Sequence, residues 1–243
     1  MHLLITRPEP EADAWKAHLS RLGVAITVDP LLIIELLPVA ALDLTGVQAL
    51  VVTSRNGLRA LAGIPLLAAA LAPPIFVVGP GTASLAAEIG FRDIIQGSGS
   101  ARDLVPLISA RAKPEAGHLL QLSGDKIAFD LEAALKPAGF QLMRQVVYRS
   151  RPVHRLAAPT IDAIGTGRID TVMLTSPLAA RTFANLAIHA GLIEPCQRLF
   201  YICLSQNVAA GLALLNPAEV HVAAAPNSDS TFALIETLAK PNL

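Results

Sequence analysis

A chain of 243 residues that is 53% hydrophobic, 16% charged and 4% aromatic can fill one large core or two ordinary ones, and is too apolar to be disordered. Nineteen Lys and Arg against nineteen Asp and Glu leave no formal net charge, which argues against broad nucleic-acid binding, because displacing phosphate counterions needs a basic excess. Two cysteines, Cys196 and Cys203, are too few for a disulfide framework or a four-ligand zinc site.

The opening MHLLITRPEPEAD passes from a short apolar run directly to Arg7, Glu9 and Glu11. It has no basic leader and no cleavage site, so no signal peptide is predicted. LLITR (3–7) predicts a strand. EADAWKAHLSRLG predicts a helix in which Ala14, Ala17, His18 and Leu22 keep helical spacing and Gly23 closes the end. ITVDPLLIIEL (26–36) predicts an extended segment, because a helix interior would not tolerate Pro30. ALVVTS (49–54), IFVVG (75–79) and DIIQG (93–97) predict further strands, each ahead of a helix-like stretch. Residues 60–79 carry no charge over a span that could cross a bilayer, yet Gly63, Pro65, Pro73 and Pro74 interrupt it. A helix end, a turn and a buried strand are predicted there. The protein is therefore expected to be cytoplasmic, with no membrane association.

The order of elements then begins again. HLLQLSGD (118–125) corresponds to HLLITRPE (2–9), and MRQVVYRSRP (143–152) to the extended 26–36 segment. TVMLTSPLAARTF (171–183) corresponds to ALVVTSRNGLRAL (49–61), and FYICLSQNVAAGL (200–212) to IFVVGPGTASLAA (75–87). VHVAAAPNSDSTFALI (220–235) corresponds to DIIQGSGSARDLVPLI (93–108). A period this long indicates a duplicated domain-sized unit, not a solenoid. Apolar strands alternating with helices predict the α/β class: two flavodoxin-like, doubly wound parallel-sheet domains from a duplicated unit. Such sheets bind ligands outside the carboxyl ends of their strands. Small polar residues gather at those ends: Thr6-Arg7, Thr53-Ser54-Arg55-Asn56, Gly79-Pro80-Gly81-Thr82, Ser123-Gly124-Asp125, Thr175-Ser176 and Ser205-Gln206-Asn207.

These residues narrow the chemistry. The six histidines show no HExxH or paired spacing, so no metal is expected. No GxSxG elbow accompanies Ser54 or Ser176, whose plain reading is helix N-capping. Gly79-Pro80-Gly81-Thr82 is not a GxGxxG fingerprint, no GxxxxGK[ST] loop occurs, and no nucleotide cofactor is expected. The SGD at 123–125 reads as a turn. Hydroxyl and amide clusters with few carboxylates can hold a polyanion but supply little strong acid or base, so the protein would act mainly by positioning.

Taken in order, LLITRP, VVTSRNG, VVGPGTA, GF-x5-VVYRS, MLTSP and CLSQNVA resemble uroporphyrinogen-III synthases over residues 2–238. The resemblance implies cyclisation of the linear tetrapyrrole hydroxymethylbilane to uroporphyrinogen III, with loss of water and inversion of ring D, by way of an azafulvene and a spiro intermediate. It implies no cofactor, a small-molecule substrate and a monomer in the cytosol. It also implies a discontinuous first domain (1–34 plus 153–243), a second domain (37–148), connector strands near 30–37 and 146–153, and a substrate cleft between the domains. Tyr148 matches the family tyrosine that assists departure of the substrate hydroxyl, and its other reading is a connector-strand aromatic. Thr82, with Gly81 in the same loop, Ser54, Ser176 and Asn207 match substrate-binding positions. Arg7, Arg55, Arg149 and Arg151 are candidate carboxylate partners, Arg7 foremost. Ser123-Gly124-Asp125-Lys126 and Ser205-Gln206-Asn207 depart from the family pattern. The alternative is a non-catalytic two-domain ligand-binding or sensor module.

Overall fold

The computed structural model describes residues 1–39, 42–63 and 67–239; Pro65, one of the interruptions in the uncharged stretch, lies outside them. In chain order the elements are β1 (His2–Ile5), α1 (Glu11–Leu19), β2 (Ala25–Val28), β3 (Leu32–Leu36), β4 (Val47–Val52), α2 (Arg55–Ala62), α3 (Leu67–Ala70), β5 (Ile75–Val77), α4 (Pro80–Ile89), β6 (Ile94–Gln96) and α5 (Leu104–Arg111). They continue as β7 (His118–Gly124), α6 (Leu131–Leu135), β8 (Leu142–Pro152), α7 (Ala158–Gly165), β9 (Thr171–Leu174), α8 (Pro177–His189), α9 (Ile193–Gln197), β10 (Phe200–Cys203), α10 (Gln206–Ala209), β11 (Glu219–Val222) and α11 (Ser228–Ala239). Two compact units divide the chain, Met1–Ile33 with Arg151–Leu243, and Ile34–Ser150. The divisions fall inside β3 and β8. Gly23, at φ 70, closes the turn that follows α1.

In the first unit a 5-stranded sheet runs β2-β1-β9-β10-β11, with every pair parallel. Leu3, Ile5, Met173 and Ile202 pack on one face with Trp15 and Leu19 of α1 and Ile235 of α11. Leu4, Val172, Leu174, Tyr201 and Cys203 face the other way, onto Phe183 and Ala184 of α8. Alternate residues of each strand are thus buried on opposite faces, which is why these strands read as unbroken apolar runs.

The second unit carries a 6-stranded sheet in the order β3-β8-β7-β4-β5-β6. Leu50, Val52, Ile75, Val77, Leu120 and Leu122 pack against Leu58 and Leu61 of α2 and Ala86 of α4. Ala49, Val51, Phe76 and Leu119 pack against Leu104 and Ile108 of α5 and Leu131 and Leu135 of α6. Counted in repeat order, β2-β1-β9-β10-β11 and β8-β7-β4-β5-β6 both read 2-1-3-4-5, the flavodoxin-like arrangement. In each of these five-strand sets the first two strands come from one repeat and the last three from the other, and β3 is added at the edge of the second sheet.

Two local features differ from the sequence reading. The 26–36 segment is two strands in two sheets, broken at Asp29-Pro30-Leu31, where the Asp29 and Leu31 amides donate to Ile5 O and Thr6 O (3.0 and 3.1 Å). The SGD at 123–125 is not a free turn. β7 runs through Gly124, which pairs with Tyr148 after a register shift. Ser123 pairs with Val146 and Gly124 with Tyr148, so Val147 is an extra residue, a bulge in β8. Consecutive strand residues normally face opposite ways. Because of the bulge, Val147 and Tyr148 both enter the cluster formed with α2 and α4.

Candidate active site

Strand order in the second unit's sheet reverses between β7 and β4, and open α/β sheets bind ligands outside the carboxyl ends of the strands at such a point. Two of the singled-out residues, Tyr148 and Ser54, meet there. Tyr148 is 9% exposed. Ser54 is the N-cap of α2 and its Oγ accepts from the Asn56 amide at 3.2 Å. α2 is seated by Gly57, where a Cβ would stand 3.0 Å from both Leu122 O and Val52 Cγ1. Burial pushes the Tyr148 phenol above its ordinary value of 10.0, the largest influence on it. Hydrogen bonds from the Ser54 hydroxyl and the Gly124 backbone pull the other way, the Asp125 carboxylate raises it and the Arg144 guanidinium lowers it. The phenol is therefore undissociated at neutral pH. A neutral phenol carries one hydrogen that it can give to an acceptor.

Gly124 makes this geometry possible. A Cβ there would lie 2.7 Å from Tyr148 Cε2, 2.8 Å from Cζ and 3.0 Å from the hydroxyl oxygen. The Asp125 amide donates to Tyr148 O at 3.1 Å, so the ring lies over a fixed strand end.

Beside this point, α4 begins at Pro80 after the extended N-cap Gly79. The Thr82 and Ala83 amides donate to Gly79 O (3.1 and 3.0 Å), and Thr82 is 6% exposed. Arg55, the first residue of α2, lays its guanidinium against Gly81, where a Cβ would meet Nη2 at 3.0 Å. A guanidinium on a helix N-terminus places two features that both favour an anion side by side.

Arg7, Ser176 and Asn207 belong to the other unit. The Arg7 guanidinium lies over the Trp15 ring, 4.7 Å from its centroid. Ser176 caps α8, its Oγ accepting from the Ala179 amide at 3.1 Å. Asn207 is exposed near the start of the four-residue α10. The β1 and β9 ends are tied by Thr6 Oγ1, which donates to Met173 O at 2.7 Å. Among the described residues no group of three or more His, Cys, Asp or Glu could hold a metal ion, and no helix is long and apolar enough to cross a membrane. Two residues of the phenol site, Gly124 and Arg144, were not singled out from sequence as site residues. Arg144 stands four residues before Tyr148 on the same strand, but the bulge at Val147 puts the two side chains on opposite faces, so strand spacing gives no signal for it.

The sequence profile of uroporphyrinogen-III synthase HemD matches residues 13–233. The chain belongs to the uroporphyrinogen-III synthase family. No curated protein matches it in a whole-sequence comparison. Among solved structures it is similar to the uroporphyrinogen-III synthetase of Helicobacter pylori, with 18% identity and a TM-score of 0.64, covering 98% of this chain and 99% of that one. It is also similar to a mutant uroporphyrinogen III synthase of the extreme thermophile Thermus thermophilus, with 18% identity, a TM-score of 0.57 and 98% coverage of each chain. At that identity these likenesses speak for the two-domain α/β fold, and the family assignment rests on the profile. Family membership makes the chain a lyase-type cyclising enzyme acting on a tetrapyrrole.

Proposed function

We propose that this enzyme closes hydroxymethylbilane to uroporphyrinogen III, as a hydro-lyase, with Tyr148 assisting loss of the substrate hydroxyl. The carrying observation is the Tyr148 phenol: buried, undissociated at neutral pH and hydrogen-bonded to Ser54, a group that can give its proton to a departing oxygen. Donation to that oxygen lets the C–O bond break and water leave, giving an azafulvene. The substituted α-carbon of ring D then attacks to give the spiro intermediate, and closure at the free α-carbon would give the type I isomer instead. Selecting between two carbons of one flexible chain is a matter of orientation, so the remaining residues bind carboxylates. Arg55 with the α4 terminus at Gly81 and Thr82 is one such place. Arg7, Ser176 and Asn207, all in the first unit, are the other candidate donors to substrate carboxylates. The enzyme works as a monomer in the cytosol.

The test is incubation with hydroxymethylbilane followed by oxidation and separation of the uroporphyrin isomers. Predominantly type III product supports the reading. Type I at the rate of the protein-free control would overturn it and leave a binding module.

A further inference from the structure

The strand end under the Tyr148 ring has few side-chain atoms of its own to hold it: Gly124 has none, and Asp125 accepts only a long bond from the Ser150 amide (3.4 Å). Arg144 supplies the tie. Its Nε donates to Ser123 Oγ at 2.7 Å, and its Nη2 to Gly124 O at 2.5 Å and Asp125 O at 2.9 Å. Ser123 is 2% exposed and passes its own hydrogen to Gly124 O at 3.1 Å, which closes the network. Two carbonyl oxygens converging on one point repel each other, and a guanidinium nitrogen between them removes that cost. The reach fits the register. Arg144 pairs with Gln121, so its side chain runs along β7 to Ser123, two residues on and about 7 Å at strand rise, where the Gly124 and Asp125 carbonyls also meet it.

We infer that Arg144 is the positioning residue of the phenol site: by holding Ser123, Gly124 and Asp125 in one plane, it sets where the Tyr148 hydroxyl sits between Gly124 and Ser54. The inference deepens the role given to Tyr148 and rests on it for its kinetic consequence only. A lysine would supply charge but not the planar fork, so charge alone does not satisfy the role. Besides Tyr148 itself, the ionisable groups acting on the phenol are Asp125 and Arg144.

Four readouts test it. Arg144→Met should lower kcat by about tenfold, the loss expected of a small misplacement, with KM unchanged within about twofold. Arg144→Lys should restore less than half of that loss. In a Tyr148→Phe background the Arg144→Met change should cost nothing more, because it acts through the phenol. The fourth readout needs no turnover. The chain has two tyrosines, and burial lifts Tyr201 far above Tyr148, so tyrosinate absorbance at rising pH reports Tyr148 first. Losing the guanidinium should move that midpoint up. A merely structural role would let water in and move it down toward 10.0. A folded Arg144→Met protein with parental kcat and an unmoved or lowered midpoint overturns the inference. If that variant does not fold, Ser123→Ala keeps the guanidinium but removes its Nε acceptor; a smaller upward shift supports the role, and no shift refutes it. Parental turnover by Tyr148→Phe would sink the catalytic reading while leaving the titration to decide Arg144.

Discussion

Gly124→Ala adds one methyl group at the most crowded point of the site. Its carbon would stand 2.7 Å from Tyr148 Cε2 and 2.8 Å from Cζ. Ordinary carbon–carbon contact begins near 3.5 Å, so the ring must retreat by roughly 0.7–1 Å. Overpacking of this kind costs about 1–3 kcal/mol of stability, measurable as a lower urea midpoint with unchanged slope. The catalytic effect should be larger. The hydroxyl is displaced from its place beside Ser54 by a similar distance, and a displacement near 1 Å costs on the order of 10²-fold in rate. Steady-state assay with hydroxymethylbilane should show kcat lower by about that factor. A variant with the parental rate and parental stability would refute the account of how the ring is seated.

The remaining predictions address other parts of the molecule. Ser176→Ala removes the α8 N-cap and should lower unfolding stability by about 1 kcal/mol in urea titration; unchanged stability would show that the cap bond to Ala179 contributes nothing. Thr82→Ala should raise KM severalfold with little change in kcat, and parental kinetics would remove Thr82 from substrate binding. Burial pushes the Cys196 thiol up to about 11 and Cys203 up to about 12, from an ordinary 9.0. Neutral thiols are favoured in the fold, so their contribution is intact below pH 9 and drains away as pH rises through 9 toward 11–12. Stability at pH 10 should fall below that at pH 8 by on the order of 3 kcal/mol, and the decline should be shallower in a Cys196→Ala/Cys203→Ala variant. Equal slopes for the two proteins would contradict it.

Much of the fold is legible in the sequence because buried parallel strands carry unbroken apolar runs. ALVVTS, IFVVG and TVMLTS end in the structure within two residues of where their small polar residues begin. The repeat is legible for the same reason. Which repeat supplies which strand to a sheet is not, since β1 and β7 offer similar apolar faces and either could lie beside β4 or β9. The break of 26–36 at Asp29-Pro30-Leu31 was hidden because extended backbone on both sides of Pro30 looks the same whether one sheet or two receives it. Ser54 and Thr82 stood out through residue type at strand ends, and Tyr148 through the family resemblance of VVYRS. Gly124 and Arg144 did not, because their roles depend on the register of β7 against β8 and on a one-residue bulge that composition does not reveal.

The most direct measurement is the isomer-resolved turnover of Tyr148→Phe. Loss of the phenol hydrogen should slow consumption of hydroxymethylbilane by about 10²-fold, the range of a positioned proton donor. The product formed by the enzyme should remain type III, because the carboxylate-binding residues still fold the chain. An undiminished rate, or a switch to type I while the variant still binds substrate, would contradict the division of labour between one phenol and its surrounding donors.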